Sequence, residues 1–126
     1  MVILYNDTYG HAEGDRALVT VANSLKKVLN RHNRPSFLAR YGGDEFILIV
    51  HMESTEHPDQ LIRMIREQLR QECVETGVPY MIFISAGFDL LRGGQDTVQA
   101  CIQRADEKLY QDKRVRRLRE SRAAAR

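Results

Sequence analysis

The segment Arg40-Tyr41-Gly42-Gly43-Asp44-Glu45-Phe46 sets two glycines directly before two carboxylates. Glycine removes a side chain where backbone must approach something closely, and carboxylates are hard oxygen ligands. A nucleoside triphosphate needs both features, room and N–H donors for its phosphates and oxygen ligands for its magnesium. Gly-Gly-Asp is equally an ordinary hairpin turn. A second cluster, Asn6-Asp7-Thr8-Tyr9-Gly10-His11 followed by Gly14-Asp15, stands just ahead of a long amphipathic run. Asp15 can cap that helix. Alternatively, its carboxylate can accept from the N1–H and N2–H edge that guanine offers and adenine lacks. Asn6 would add a complementary donor and acceptor.

These residues need elements to hold them. From Asp15 the apolar positions Leu18, Val21, Ala22, Leu25, Val28 and Leu29 keep helical spacing, which predicts a helix to about Arg31. Asn33-Arg34-Pro35-Ser36 ends it. Phe37–Tyr41 and Phe46–Val50 read as two strands of a hairpin, and the unbroken apolar run Ile47–Val50 predicts a strand covered on both faces. Pro58 opens a second helix with Leu61, Ile62, Ile65, Leu69 and Cys73 on its buried face, stopped by Gly77 and Pro79. The stretch from Tyr80 to Phe88 reads as a central strand. Asp96 or Thr97 caps a last helix carrying Val98, Cys101, Ile102, Ala105 and Leu109. The expected class is α+β, helices packed over a mostly antiparallel sheet. A hairpin and one strand make a thin sheet for three helices, so a first strand is expected to be missing or cut short.

With 126 residues, 43% of them hydrophobic, the chain has the bulk for one globular core. Cys73 and Cys101 fall on apolar helical phases without metal-ligand spacing, which predicts buried, reduced thiols in a cytoplasmic protein. The apolar start, Met1 to Leu4, is too short for a signal peptide or a membrane span. His11, His32, His51 and His57 have no ligand spacing and are expected on the surface or in packing roles. After Lys113 the arginines at 114, 116, 117, 119, 122 and 126 face only Glu120. Such a block can meet phosphate, nucleic acid or an acidic surface, or be a solvated helix end or tail. Aromatic residues are not interleaved there, so nucleic acid is not expected as a partner.

Asn-Asp-x-Tyr-Gly-His-x-x-Gly-Asp followed by Arg-Tyr-Gly-Gly-Asp-Glu-Phe resembles the GGDEF domain of bacterial diguanylate cyclases. Ile84-Ser85-Ala86-Gly87 resembles that family's Ser-x-Gly strand, and Arg104 to Lys113 its terminal helix. The resemblance implies a palm-like, ferredoxin-related nucleotidyl-cyclase sandwich over residues 1–113, with 114–126 a basic helix extension or tail. It implies a homodimer in which two GTP molecules become cyclic di-GMP with release of pyrophosphate, using magnesium or manganese. An upstream sensor domain is usual in full-length relatives. Carried over by position, Asn6 and Asp15 would bind guanine, and Gly42 and Gly43 would lie against the phosphates. Asp44 would be the metal ligand and a catalytic residue, and Glu45 would serve metal binding or turnover. Lys113 and Arg117 would bind phosphate. Arg40 would help neutralise phosphate charge or pair with an acidic neighbour.

Two departures qualify the match. The family reads Asp-x-Asp-x-Phe-Lys before Asn-Asp, at the end of its first strand. Here that stretch has shrunk to Met1–Tyr5, with Ile3 where lysine is usual, and the first metal carboxylate is missing. A mis-assigned start, a shortened chain or a catalytically degenerate domain that binds GTP or a partner each accounts for this. The family's product-binding Arg-x-x-Asp is replaced by Asn33, Arg34, Pro35 and Ser36, which predicts no product inhibition through that surface.

Overall fold

A computed structural model describes residues 2–6, 11–32, 35–40, 45–53, 56–77, 82, 84–91 and 93–124. Its elements run β1 (Val2–Asn6), α1 (His11–His32), β2 (Ser36–Arg40), β3 (Glu45–Val50), α2 (Pro58–Thr76), β4 (Ile84–Phe88) and α3 (Val98–Ala124). The strands form one sheet in the order β2-β3-β1-β4, with every pairing antiparallel.

The first strand is present but short, five residues, which matches the expectation that it is cut short and not that it is missing. Val2-Ile3-Leu4-Tyr5-Asn6 lies between β3 and β4, with Leu4 opposite both Phe46 and Ala86. Four apolar or aromatic residues in a row suit a strand, and this one lies between β3 and β4 in the sheet order. The stretch from Tyr80 to Phe88 is corrected in the other direction, since β4 is at the sheet's edge. It reads as central because helices cover both its faces. Its outward Ala86 N–H does not face water; it donates to the Asp112 carboxylate of α3 at 2.8 Å.

Strand alternation divides the core into two layers. Phe46, Leu48 and Ile84 pack with Val21, Leu25 and Val28 of α1 and Leu61, Ile65 and Leu69 of α2. Ile47, on the opposite face of β3, packs with Cys101, Ala105 and Leu109 of α3. This accounts for the unbroken apolar run in β3. Gly87 lets α3 lie directly on β4, because a Cβ there would stand 2.2 Å from the Ala105 carbonyl oxygen and 2.3 Å from the Leu109 nitrogen.

The helix ends follow local chemistry. His57 Nδ1 accepts from the Asp59 N–H at 3.2 Å, Pro58 fills the first turn, and Gly77 closes α2 at φ 68°. Thr97 Oγ1 accepts from the Ala100 N–H at 3.1 Å and caps α3. Asp15 is not a cap, because α1 begins four residues earlier at His11. Ala12 is a strong helix former and Glu13 favours the positive end of the helix dipole, which together offset the cost of Gly14, about 1 kcal/mol. Both thiols, Cys73 and Cys101, are buried and free. Among the described residues no helix is long and apolar enough to cross a membrane.

Candidate active site

The topology gathers the predicted residues at one end of the sheet. β1 ends there with Asn6, opposite Ile84, and β3 begins there with Glu45, opposite Tyr5. β2 ends there with Arg40, opposite Phe46. Gly42, Gly43 and Asp44 lie outside the described residues, in the four-residue connection between Arg40 and Glu45. Asp15 is the fifth residue of α1, the helix that follows β1 from this same end. Nothing is described of the side chains of Asn6 and Asp15.

α3 brings the cation. Cys101, Ala105 and Leu109 recur every fourth residue along its sheet-facing stripe, and Lys113 is the next position on it. Along β3, Ile47 meets that stripe and Glu45, two residues earlier, shares its face. Glu45 thus confronts the charged continuation of an apolar contact. Burial pushes its carboxyl above the usual carboxylate range, the nearby Asp106 charge pushes the same way, and Lys113 pulls it back. Sequence reasoning named Glu45 and Lys113 but missed Asp106. The signal was available, since residues 106 and 113 are seven apart and fall on one helical face.

Arg40 is exposed at the end of β2 and takes part in a polar interaction. It also lines a groove of about 320 Å³ between α1 and β2, with Leu18, Ala22, Leu38, Phe46 and Lys26. An apolar floor with cations on its rim suits a flat base carrying a phosphate chain. A larger groove, about 560 Å³, lies at the opposite end of the sheet against Phe37, Ile49, Leu90, Leu91 and Val98. Among the described residues its lining holds no carboxylate and none of the signature residues, so its size does not make it the site of chemistry. Arg117 follows Lys113 by one turn of α3, and nothing of its side chain is described.

Glu45, and Asp44 beside it in sequence, are hard oxygen donors of the kind magnesium and manganese take. Among the described residues no group of three or more His, Cys, Asp or Glu side chains clusters to hold a metal. The donors fit a cation that also takes oxygens from phosphate and water, as magnesium commonly does.

Comparison with known proteins agrees with this geometry. The family described as "Diguanylate cyclase, GGDEF domain" matches residues 4–119. Diguanylate cyclase DgcP of Pseudomonas aeruginosa is 35% identical over 113 residues, covering 89% of this chain and 16% of that protein. A diguanylate cyclase of Vibrio cholerae is 32% identical over 119 residues, covering 88% of this chain and 33% of that one. The chain therefore spans a third or less of the length of these relatives. Among solved structures, the active GGEEF domain of a Vibrio cholerae diguanylate cyclase aligns at TM-score 0.61 and 28% identity, covering 90% of this chain and 74% of that one. Diguanylate cyclase SiaD of Pseudomonas aeruginosa, solved in complex with its activator SiaC, aligns at TM-score 0.68 and 26% identity, covering 90% and 45%. A match over residues 4–119, the two-layered antiparallel sheet and the signature joining β2 to β3 lead to one conclusion: the chain belongs to the GGDEF domain family of diguanylate cyclases.

Proposed function

We propose that this chain is the catalytic domain of a diguanylate cyclase, condensing two GTP molecules into cyclic di-GMP. The observation that carries the proposal is the convergence of Arg40, Glu45 and Lys113 on the sheet end where Gly42-Gly43-Asp44 connects two paired strands. Conserving that arrangement along with the family's order of motifs supports an active rather than a degenerate domain.

Each chain would hold one GTP. Asn6 and Asp15 would read the guanine edge, beside the apolar groove floored by Leu18 and Phe46. Gly42 and Gly43 would admit the phosphates to the backbone, and Lys113, Arg117 and Arg40 would balance their charge. Asp44 and Glu45 would hold a magnesium or manganese ion, which supplies positive charge to phosphoryl oxygens when bound. In each half-reaction a 3′-hydroxyl attacks the α-phosphorus of the facing GTP. A phosphorus–oxygen bond forms as the bond to pyrophosphate breaks, and the hydroxyl proton leaves to solvent. Two such steps close the ring and release two pyrophosphates. Attack of one bound GTP on another would call for two copies with their nucleotide ends opposed, hence the proposed homodimer.

The setting proposed is cytoplasmic, with an upstream sensor domain in the full-length protein governing how often two sites meet. Incubation with GTP and magnesium, read by mass spectrometry, tests the function. Cyclic di-GMP from the wild type and none from Asp44→Ala is the expected result. GTP binding without product, even in a chain forced to dimerise, would refute the proposal.

A further inference from the structure

β4 stands at an edge of the described sheet, where outward backbone groups need partners from something other than a strand. Two side chains from opposite layers meet there. Arg66 of α2 donates through Nη2 to the Ile84 carbonyl oxygen at 3.5 Å and to Asp112 Oδ2 at 3.4 Å. The same Asp112 oxygen accepts the Ala86 N–H at 2.8 Å. Ile84 and Ala86 are two residues apart, so these backbone groups point the same way from the strand. The ion pair therefore offers the edge what a further strand would, an acceptor and a donor at matching positions. It also joins α2, on one face of the sheet, to α3 on the other. Both side chains are partly sheltered, 38% and 30% exposed, which limits screening of the pair.

The place of this clasp along α3 gives it a bearing on the site. Ala105 and Leu109 seat the helix on β4 at Gly87. Lys113 lies four residues past Leu109, about 6 Å further along the axis. A helix held only at that seat could swing at Lys113. Asp112, the residue before it, fastens the backbone to the strand edge at the point where a swing would begin.

We propose that Asp112, held by Arg66, is a positioning residue for the nucleotide site: by pinning α3 to the edge of β4 it sets Lys113 where it meets the triphosphate. The inference rests on the cyclase proposal for what Lys113 binds. A misplacement of about 1 Å can cost up to about 100-fold in rate, so Asp112 acts without touching GTP. The edge also dictates which way round the pair must stand. The carboxylate has to meet the Ala86 N–H and the guanidinium the Ile84 carbonyl. Exchanging the two residues keeps the charges together but sets donor against donor and acceptor against acceptor.

Hydrogen exchange of the Ala86 amide reads the clasp, with the Leu48 amide in the middle of β3 as the standard for global opening. Asp112→Ala should speed exchange at Ala86, relative to Leu48, by roughly tenfold or more. Equilibrium binding of a GTP analogue with a methylene between its α- and β-phosphorus reads the positioning. Its dissociation constant should rise about fivefold in Asp112→Ala and in the exchanged pair, Arg66→Asp with Asp112→Arg. Asp112→Asn, a milder variant that keeps an acceptor for Ala86, should show both effects at about twofold. In a Lys113→Met background Asp112→Ala should cost no further affinity, because the group it positions is gone. Unchanged relative exchange at Ala86, or an equal loss of affinity in both backgrounds, would overturn the proposal. Equal affinity in wild type and Asp112→Ala would refute the positioning role and leave the cyclase proposal standing. A wild type that binds the analogue through this clasp yet makes no cyclic di-GMP from GTP would refute the cyclase proposal and leave the positioning of Lys113 standing.

Discussion

The two ends of α3 handle charge in opposite ways. Near its start, Arg104 reaches Asp96 through both terminal nitrogens, at 3.1 and 2.8 Å, and pairs with Asp89 through Nε. Lys108 adds a contact to Asp89 at 3.4 Å and lies over the Phe88 ring, whose other neighbour is the His57 ring. Asp89, Asp96, Arg104 and Lys108 each have an opposite charge beside them, and Arg104 holds the Asp89 carboxyl below the usual carboxylate range. At the far end Glu45, among the described residues, lies near Lys113 and Asp106 while partly stripped of water, and its carboxyl is pushed up. The first arrangement fixes the 89–97 connection to α3 and improves as the chain folds. The second is electrostatically opposed in the folded state, as sites that await a charged ligand commonly are.

The largest expected effect strikes what both ends share, the seating of α3 on β4. Gly87→Ala drives a methyl into the Ala105 and Leu109 backbone. Denaturant unfolding should show a loss of about 3 kcal/mol, and GTP binding should fall with it because Lys113 moves away from Glu45. An alanine tolerated without loss would mean that α3 is held elsewhere. Next, Arg104→Gln should lower the melting temperature, because it strips the guanidinium from two carboxylates, while leaving the KM for GTP unchanged. A rise in KM would erase the distinction between the ends.

Lys113→Met should do the reverse, raising the KM for GTP by about tenfold with stability changed by no more than about 0.5 kcal/mol. The smallest effect is on pH dependence. Glu45 has a raised folded-state pKa, so its favourable contribution is complete below the unfolded value and is lost as pH rises through the folded one. Glu45→Gln should therefore stabilise the chain at neutral pH, and that gain should vanish below about pH 4.5. Asp89 runs the opposite way, contributing above its unfolded pKa and losing that contribution in acid. Urea melts of the Glu45 and Asp89 variants across acid pH would separate the two signs.

Much of this was legible because periodicity and turn chemistry are local. Leu61, Ile65, Leu69 and Cys73 announced the face of α2, and the apolar run of β3 announced two covered faces. The place of β1 was not legible, since five residues at a chain start carry no sign of the strands they will join. Nor was the edge position of β4, because covered faces produce the same apolar pattern as a central strand. A polar seam between α1 and α2 was also missed. There Glu72, buried, pairs with Lys27 and accepts from Gln68 Nε2 at 3.1 Å, while Arg31 reaches Gln68 Oε1 at 2.7 Å. Those partners are up to 45 residues apart, and only the fold brings them together. At the site, motif order named Glu45 and Lys113, whereas Asp106, legible as sharing the helical face of Lys113, gained its bearing on Glu45 only when helix and strand were laid face to face.

The most direct test is the rate of cyclic di-GMP formation in wild type, Asp44→Ala and Arg104→Gln, assayed together below all three melting temperatures. Chemistry confined to the signature end predicts product from the wild type, none from Asp44→Ala, and a rate within a few-fold of wild type from Arg104→Gln. Product from Asp44→Ala, or its loss only in Arg104→Gln, would place the chemistry at the wrong end of α3 and contradict the account.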